Sequence, residues 1–279
     1  RTFQGYANGI RSIDFSPNGK MLVSGGDDQV IRVWNQADYS QISALRGHNN
    51  WIWAVAFHPD GDLVASGSED KSICLWNVRE SKLVSQLHPH RWVRAIAFSP
   101  DGDTLACALE GANIQLWNFR EEKYYEVLQQ EGWVWDIAYN PVDANMLASG
   151  GGDNRVRLWD LRDAQCERIL DGHEGRVLCV TFCLDGCILV SGSQDQTVRV
   201  WKVSTGECLH VLEKHKGAIH TVAIAPNRSL LASAGDDGEI QIWDYRRGQH
   251  LRSLIGHASK VRSLTFHPDG VVLASGSAD

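Results

Sequence analysis

The sequence predicts an all-β fold of small antiparallel sheets stacked side by side and closed into a ring, and three observations carry that expectation. A short apolar pattern recurs: IRVWN at Trp34, ICLWN at Trp76, IQLWN at Trp117, VRLWD at Trp159, VRVWK at Trp201 and IQIWD at Trp243 are spaced 42, 41, 42, 42 and 42 residues apart. Within each period the apolar residues come in short runs broken by turn signals, with no helical periodicity. The runs are also apolar on both faces: Ile73 and Leu75 flank Cys74 just before Trp76, which leaves no clean solvent side. A lone sheet of this kind cannot bury both faces, so its copies must stack. Radial stacking closes the array and leaves only short edges.

The elements of one period follow in order. The stretches Val55 to Ser68 (VAFHPDGDLVASGS) and Leu264 to Ser277 (LTFHPDGVVLASGS) each read as a strand, a Pro-Asp-Gly turn and a second strand. A third strand ends at the Trp, and a fourth follows a polar break, as in Glu207 to Leu212. Arg1 to Tyr6 matches the outer strand Leu45-Arg46-Gly47-His48, and the chain ends after two strands of another unit, at Ser275 to Asp279. Seven periods of 42 overrun the 279 residues by 15, the length of one third strand and its turn. The expectation is a seven-bladed β-propeller of four-stranded antiparallel blades, the last shared by the two termini and lacking about one strand. It forms one domain over residues 1–279, with six complete repeats and a truncated seventh over 255–279. The opening Arg and the mid-repeat end read as a piece of a longer protein.

Composition narrows the function classes. Hydrophobic residues at 43% and charged residues at 22% exclude a disordered chain. A net charge of −7 argues against nucleic acid as partner, which needs clustered Lys and Arg. No apolar run is long enough to cross a bilayer, so no membrane partner is expected. Seven Cys in no disulfide-like spacing point to a reducing, cytoplasmic setting. Cys179, Cys183 and Cys187 fall on a strand, its turn and the next strand, and read as filler rather than zinc ligands, which must converge. Gly150-Gly151-Gly152 has no helix after it and does not cradle phosphate, and Asn227-Arg228-Ser229 is an idle glycosylation pattern in the cytosol. No metal and no cofactor are expected.

The period, the Gly47-His48 opening and the Trp-Asp close of VRLWD and IQIWD resemble the WD-repeat β-propeller family over essentially the whole chain. The resemblance implies a role for sets that otherwise suggest a hydrolase: His48, Ser66, Asp70 and Trp76; His173, Ser191, Asp195 and Trp201; His215, Ser233, Asp237 and Trp243. In the family such residues form a buried hydrogen-bond chain. A nucleophile is needed once rather than every 42 residues, and no Gly-x-Ser-x-Gly elbow accompanies these. The other blades depart from the set. Tyr6 replaces His beside Ser24, Asp28 and Trp34; His90 stands with Cys107 and Gly111; Glu131 replaces His beside Ser149, Asp153 and Trp159. The truncated repeat keeps His257, Ser275 and Asp279.

Five of the eleven Trp lie outside this pattern, all where the chain enters an innermost strand: Trp51, Trp53, Trp92, Trp133 and Trp135. The period of two sends Ile52, Val93 and Val134 into the blade stack and their neighbours to the opposite side. The resemblance implies that those flanking positions open onto the top face and the mouth of the central channel, with Glu69 and Glu110 beside them and Arg11 and Arg94 on the rim. The Trp cluster reads either as a partner surface or as packing that caps the blade seams. The leading function is a non-catalytic scaffold binding a protein or peptide on the top face. Glu69 and Glu110 favour a cationic peptide, while Arg11 and Arg94 leave room for an acidic group. The pattern Trp–Ile/Val–Trp/Arg–x–Val/Ile–Ala–Phe/Tyr at Trp51, Trp92 and Trp133 also resembles the C-terminal propellers of bacterial STAND-type signalling ATPases. That implies a sensor and autoinhibitory clamp on an upstream nucleotide-binding domain of the same full-length chain. A propeller enzyme or a metal-binding propeller finds no converging acid, base or ligand set.

Overall fold

Each repeat folds as an up-and-down meander because its apolar runs are too short for anything but strands and each is closed by a turn with its own chemistry. A computed structural model describes residues 8–119, 121, 123–226 and 228–279, with 125 and 126 as backbone only. In blade one, Ile10–Phe15, Met21–Gly26, Val30–Asn35 and Gln41–Arg46 pair in chain order, and five further blades repeat that antiparallel order. The first turn is pinned by Gly19 N–H donating to Ser16 O (2.8 Å), with Gly19 at φ 71°, a conformation that costs glycine nothing.

The inner strands line a central channel and the outer strands face solvent, as the mostly exposed Gln41–Arg46 shows. The core lies between blades rather than within them. Val23, Ile31, Val33 and Leu45 of blade one pack with Ile52, Val55, Phe57, Val64 and Trp76 of blade two in a single cluster. A small residue next to the end of the second strand makes this possible: a Cβ on Gly67 would lie 2.5 Å from Val93 Cγ1 of the next blade. Side chains on the inner strands then stitch neighbour to neighbour. Val55 N–H donates to Ser12 Oγ (3.0 Å), Val180 N–H to Asp136 Oδ2 (2.9 Å) and Leu264 N–H to Thr221 Oγ1 (2.9 Å).

The last repeat corrects the expected blade count. Val261–Phe266 and Leu273–Ser277 form a two-stranded sheet, so the ring holds six four-stranded blades and a small partial seventh sheet, and not seven four-stranded blades. A repeat is recognisable in sequence from its first two strands alone. A four-stranded blade also needs ladder partners beyond Leu273–Ser277, and none of the described residues pairs there. The proposed outer strand at Arg1 to Gly5 lies outside the described residues. The partial sheet still packs on both sides: Ile13 N–H of blade one donates to Ser263 Oγ (3.1 Å), and Leu264 N–H donates to Thr221 Oγ1 of blade six (2.9 Å). No helix is long and apolar enough to cross a membrane among the described residues.

Candidate functional site

Every inner strand carries an irregularity at the same place, and Val134–Asn140 has a second at Tyr139/Asn140. The ladder skips a residue between Ile10 and Ser12, Ile52 and Ala54, Val93 and Ala95, and Val134 and Asp136, and again at the equivalent point of the three later sheets. The extra residues are Arg11, Trp53, Arg94, Trp135, Leu178, His220 and Arg262. A bulge bends the strand and re-aims the extra side chain. All seven line one cavity of about 580 Å³ at the end of the channel. Ile52, Val93 and Val134, one residue earlier, are fully buried in the seams.

Around this mouth Arg and Trp alternate. The Arg11 guanidinium lies 3.7 Å from the Trp53 ring centroid and Arg94 3.8 Å from the same centroid, so each must take its own face of the indole. Arg94 reaches Trp135 at 4.5 Å, and Arg176 lies 5.8 Å from Trp135. Arg11 also lies 4.3 Å from Trp51 and pairs with Asp27. These cations lie close together in a partly dry site. Burial first, then Arg11 and Arg262, push the Arg94 guanidinium down to about 10, against an opposing pull from Glu69.

The nine residues singled out from the sequence divide into two layers. Arg11, Trp53, Arg94 and Trp135 occupy the mouth, where Trp53 and Trp135 are half-buried and stacked. Trp51 and Trp133 stand outside it, 41% and 42% exposed, each against the Trp two residues on. Trp92 is half-buried. Glu69 and Glu110 follow their second strands, each held by its backbone N–H, which donates to Trp51 O (3.0 Å) and Trp92 O (2.7 Å) respectively. The sequence reading did not count Arg176 and Arg262 as site residues, although the repeat register places Arg262 in the same slot as Trp53.

The Trp–Ser–His–Asp sets are buried chains. Trp76 Nε1–H donates to Ser66 Oγ (2.9 Å), His48 Nε2 lies 2.7 Å from that oxygen, and His48 Nδ1 lies 2.9 Å from Asp70 Oδ2. The same links hold at Trp201, Ser191, His173 and Asp195 (2.8, 2.7 and 2.7 Å) and at Trp243, Ser233, His215 and Asp237 (2.8, 2.8 and 2.7 Å). Ser66, Ser191 and Ser233 have no solvent exposure, so no substrate carbonyl can reach them.

In blade four the partner of Ser149 is Gln130 rather than Glu131: Ser149 Oγ–H donates to Gln130 Oε1 (2.7 Å), and Glu131 points to solvent near Arg155. The turn carboxylate of that blade is taken by Arg157, which donates to Asp153 (2.6 Å). His90, expected to keep its structural place in blade three, is exposed at φ 64°. Cys183 donates to Asp185 Oδ1 (2.8 Å) while Cys179 is buried in the next seam and Cys187 is exposed.

A ring of four-stranded meanders, three of them locked by a Trp–Ser–His–Asp chain, defines a WD-repeat β-propeller. Residues 1–202 match the family described as the IFT122 first beta-propeller, and residues 206–244 and 248–279 match the WD domain, G-beta repeat. The chain belongs to the WD-repeat β-propellers and, over most of its length, to that first-propeller family, whose typical role is a protein-interaction scaffold. It is also similar, over about one repeat each, to longer proteins. Mitochondrial division protein 1 of Malassezia globosa is 56% identical over 36 residues, 13% of this chain and 5% of that protein. The human F-box and WD repeat domain containing protein 10B is 42% identical over 41 residues, 15% of this chain and 6% of that protein. The human F-box/WD repeat-containing protein 10 matches at 42% over 41 residues, 15% and 4% of the two lengths.

Proposed function

We propose that this propeller is a non-catalytic platform whose top face binds a protein or peptide, with Trp51 and Trp133 as the anchors. The observation that carries this reading is their exposure, 41% and 42%, each one residue before an inner strand begins. Large aromatic faces left in water on an otherwise well-packed rim are what interface hot spots are made of. Trp53 and Trp135 play a different part. Arg11 and Arg94 already cover the faces of Trp53, which leaves no aromatic face there for a cationic side chain and turns the preference towards an acidic one.

The test is affinity capture by the intact chain beside a Trp51→Ala/Trp133→Ala variant, with retained proteins identified by mass spectrometry. A protein held by the native chain and lost with the variant is the expected result. Equal retention by both overturns the reading. The inner-strand pattern at Trp51, Trp92 and Trp133 supports a narrower version, in which the propeller senses its ligand for an upstream nucleotide-binding domain. That version requires the full-length gene to encode such a domain, and a gene without one removes it.

A further inference from the structure

The mouth of the channel is a cluster of donors without acceptors. Arg11 Nη1, Trp53 Nε1, Arg94 Nε, Trp135 Nε1 and Arg262 Nε are all buried and form no hydrogen bond among the described residues. All five residues line the same cavity of about 580 Å³. Native interiors rarely leave donors unpaired, so five in one place mark a site built to receive acceptors.

The charges agree. Arg11 is paired with Asp27, and Asp236 serves both His220 (2.9 Å) and Lys260 (3.4 Å). Arg94 and Arg262 have no ion-pair partner among the described residues. Asp136, also in the lining, is pushed up to about 7 by burial and so carries only about half a negative charge at neutral pH. Glu69 stands nearby with Oε2 buried and unpartnered, but outside the cavity lining. A chain of net charge −7 thus keeps an uncompensated cationic pocket at its centre.

We propose that the channel mouth is a binding site for an oxyanion, a carboxylate or a phosphate, held by Arg94 and Arg262 and by the indole N–H groups of Trp53 and Trp135. An oxyanion is the ligand that accepts at every lone pair and carries the opposite charge, and guanidinium groups hold it through paired N–H donors. The indole stacks of Trp53 and Trp135 fix the Arg94 guanidinium in advance, so little of its side-chain entropy is lost on binding. The volume exceeds that of a single ion and fits an acidic side chain or a small polyanion. This inference goes beyond the platform reading, because it holds for a free anion as well as for the acidic residue of a docked peptide.

The experiment is calorimetric and tryptophan-fluorescence titration of the chain at low chloride with three probes: inorganic phosphate, tripolyphosphate and a blocked tetraglutamate peptide. A tetraglutamine peptide is the uncharged control. Saturable binding of at least one anion is expected, weakened by added salt and reduced roughly tenfold or more by Arg262→Gln or Arg94→Gln. Phosphates binding alone identifies a free phosphate group as the source, and the glutamate peptide binding alone identifies a partner's carboxylates. Arg262 stacks on no ring among the described residues, and Trp53→Phe keeps an aromatic ring while removing the indole N–H, so these two variants carry the test if Arg94→Gln unfolds. No anion binding below ~10 mM, or unchanged binding in folded Arg262→Gln and Trp53→Phe, overturns the proposal. Because the probes are small and Trp51 and Trp133 are untouched, that failure leaves the platform reading standing.

Discussion

At the scale of single residues, the tryptophans sort by what their indole N–H touches. Trp76 is buried and donates to Ser66. Trp76→Ala is expected to cost ~3–5 kcal/mol, because it opens a cavity and unlinks the chain to His48 and Asp70. Trp51→Ala is expected to stay within ~0.5 kcal/mol of the native chain, as surface changes do. Thermal denaturation of the two variants checks the contrast, and equal losses would show Trp51 to be core. The spacing made the first kind of Trp legible, since one strand position recurs with the period. It did not make Gln130 legible. Counting a fixed distance from Ser149 lands on Glu131, whereas the chain before Trp133 is displaced by one residue and Arg157 takes the turn acid in place of an imidazole.

At the scale of the strand, the inner strands bind one another through side chains that titrate. Asp14 Oδ2 accepts from Phe57 N–H (2.8 Å) as Asp136 accepts from Val180 N–H, and burial pushes each carboxyl from 3.8 up to about 7. The folded chain then holds these protons more tightly than the unfolded one. Their contribution is full below about 4 and is lost as the pH rises through about 7. Asp70 and Asp195 run the other way. Burial opposes their ionisation, but His48 with Ser72 and His173 with Thr197 outweigh it and hold both well below the usual range. Their contribution is present above about 4 and fades as the pH falls below it. Urea unfolding should therefore show stability declining from pH 5 to pH 8, and Asp14→Asn/Asp136→Asn should flatten that decline. An unchanged slope in the double variant would assign it to other groups. The alternation of two predicted which inner-strand residues enter the seams. It missed the inserted residue at Arg11, Trp53, Arg94 and Trp135, because a bulge is a matter of pairing and leaves no mark on a single strand's sequence.

At the scale of the whole molecule, closure rests on a small sheet. Val261–Phe266 meets blade six through Thr221 and blade one through Ser263. Ser263→Ala removes the Ile13 N–H acceptor, worth ~0.5–1.5 kcal/mol. Hydrogen exchange at Ile13 should quicken several-fold while amides in blades three and four keep their protection. Uniform acceleration around the ring would mean that closure is not local. The repeat period made the ring and its inter-blade core legible, because any sheet apolar on both faces must find neighbours. The number of complete blades was not legible, because two strands of a repeat read the same whether or not the remaining two pair with them.

The inserted residue in each inner strand leaves the ladder intact on both sides. Its identity is therefore decoupled from the sheet that carries it: Arg, Trp, Leu and His fill the same slot within one chain. The mouth is a rosette whose members can be exchanged singly, so recognition can drift one residue at a time while the architecture beneath it stays fixed.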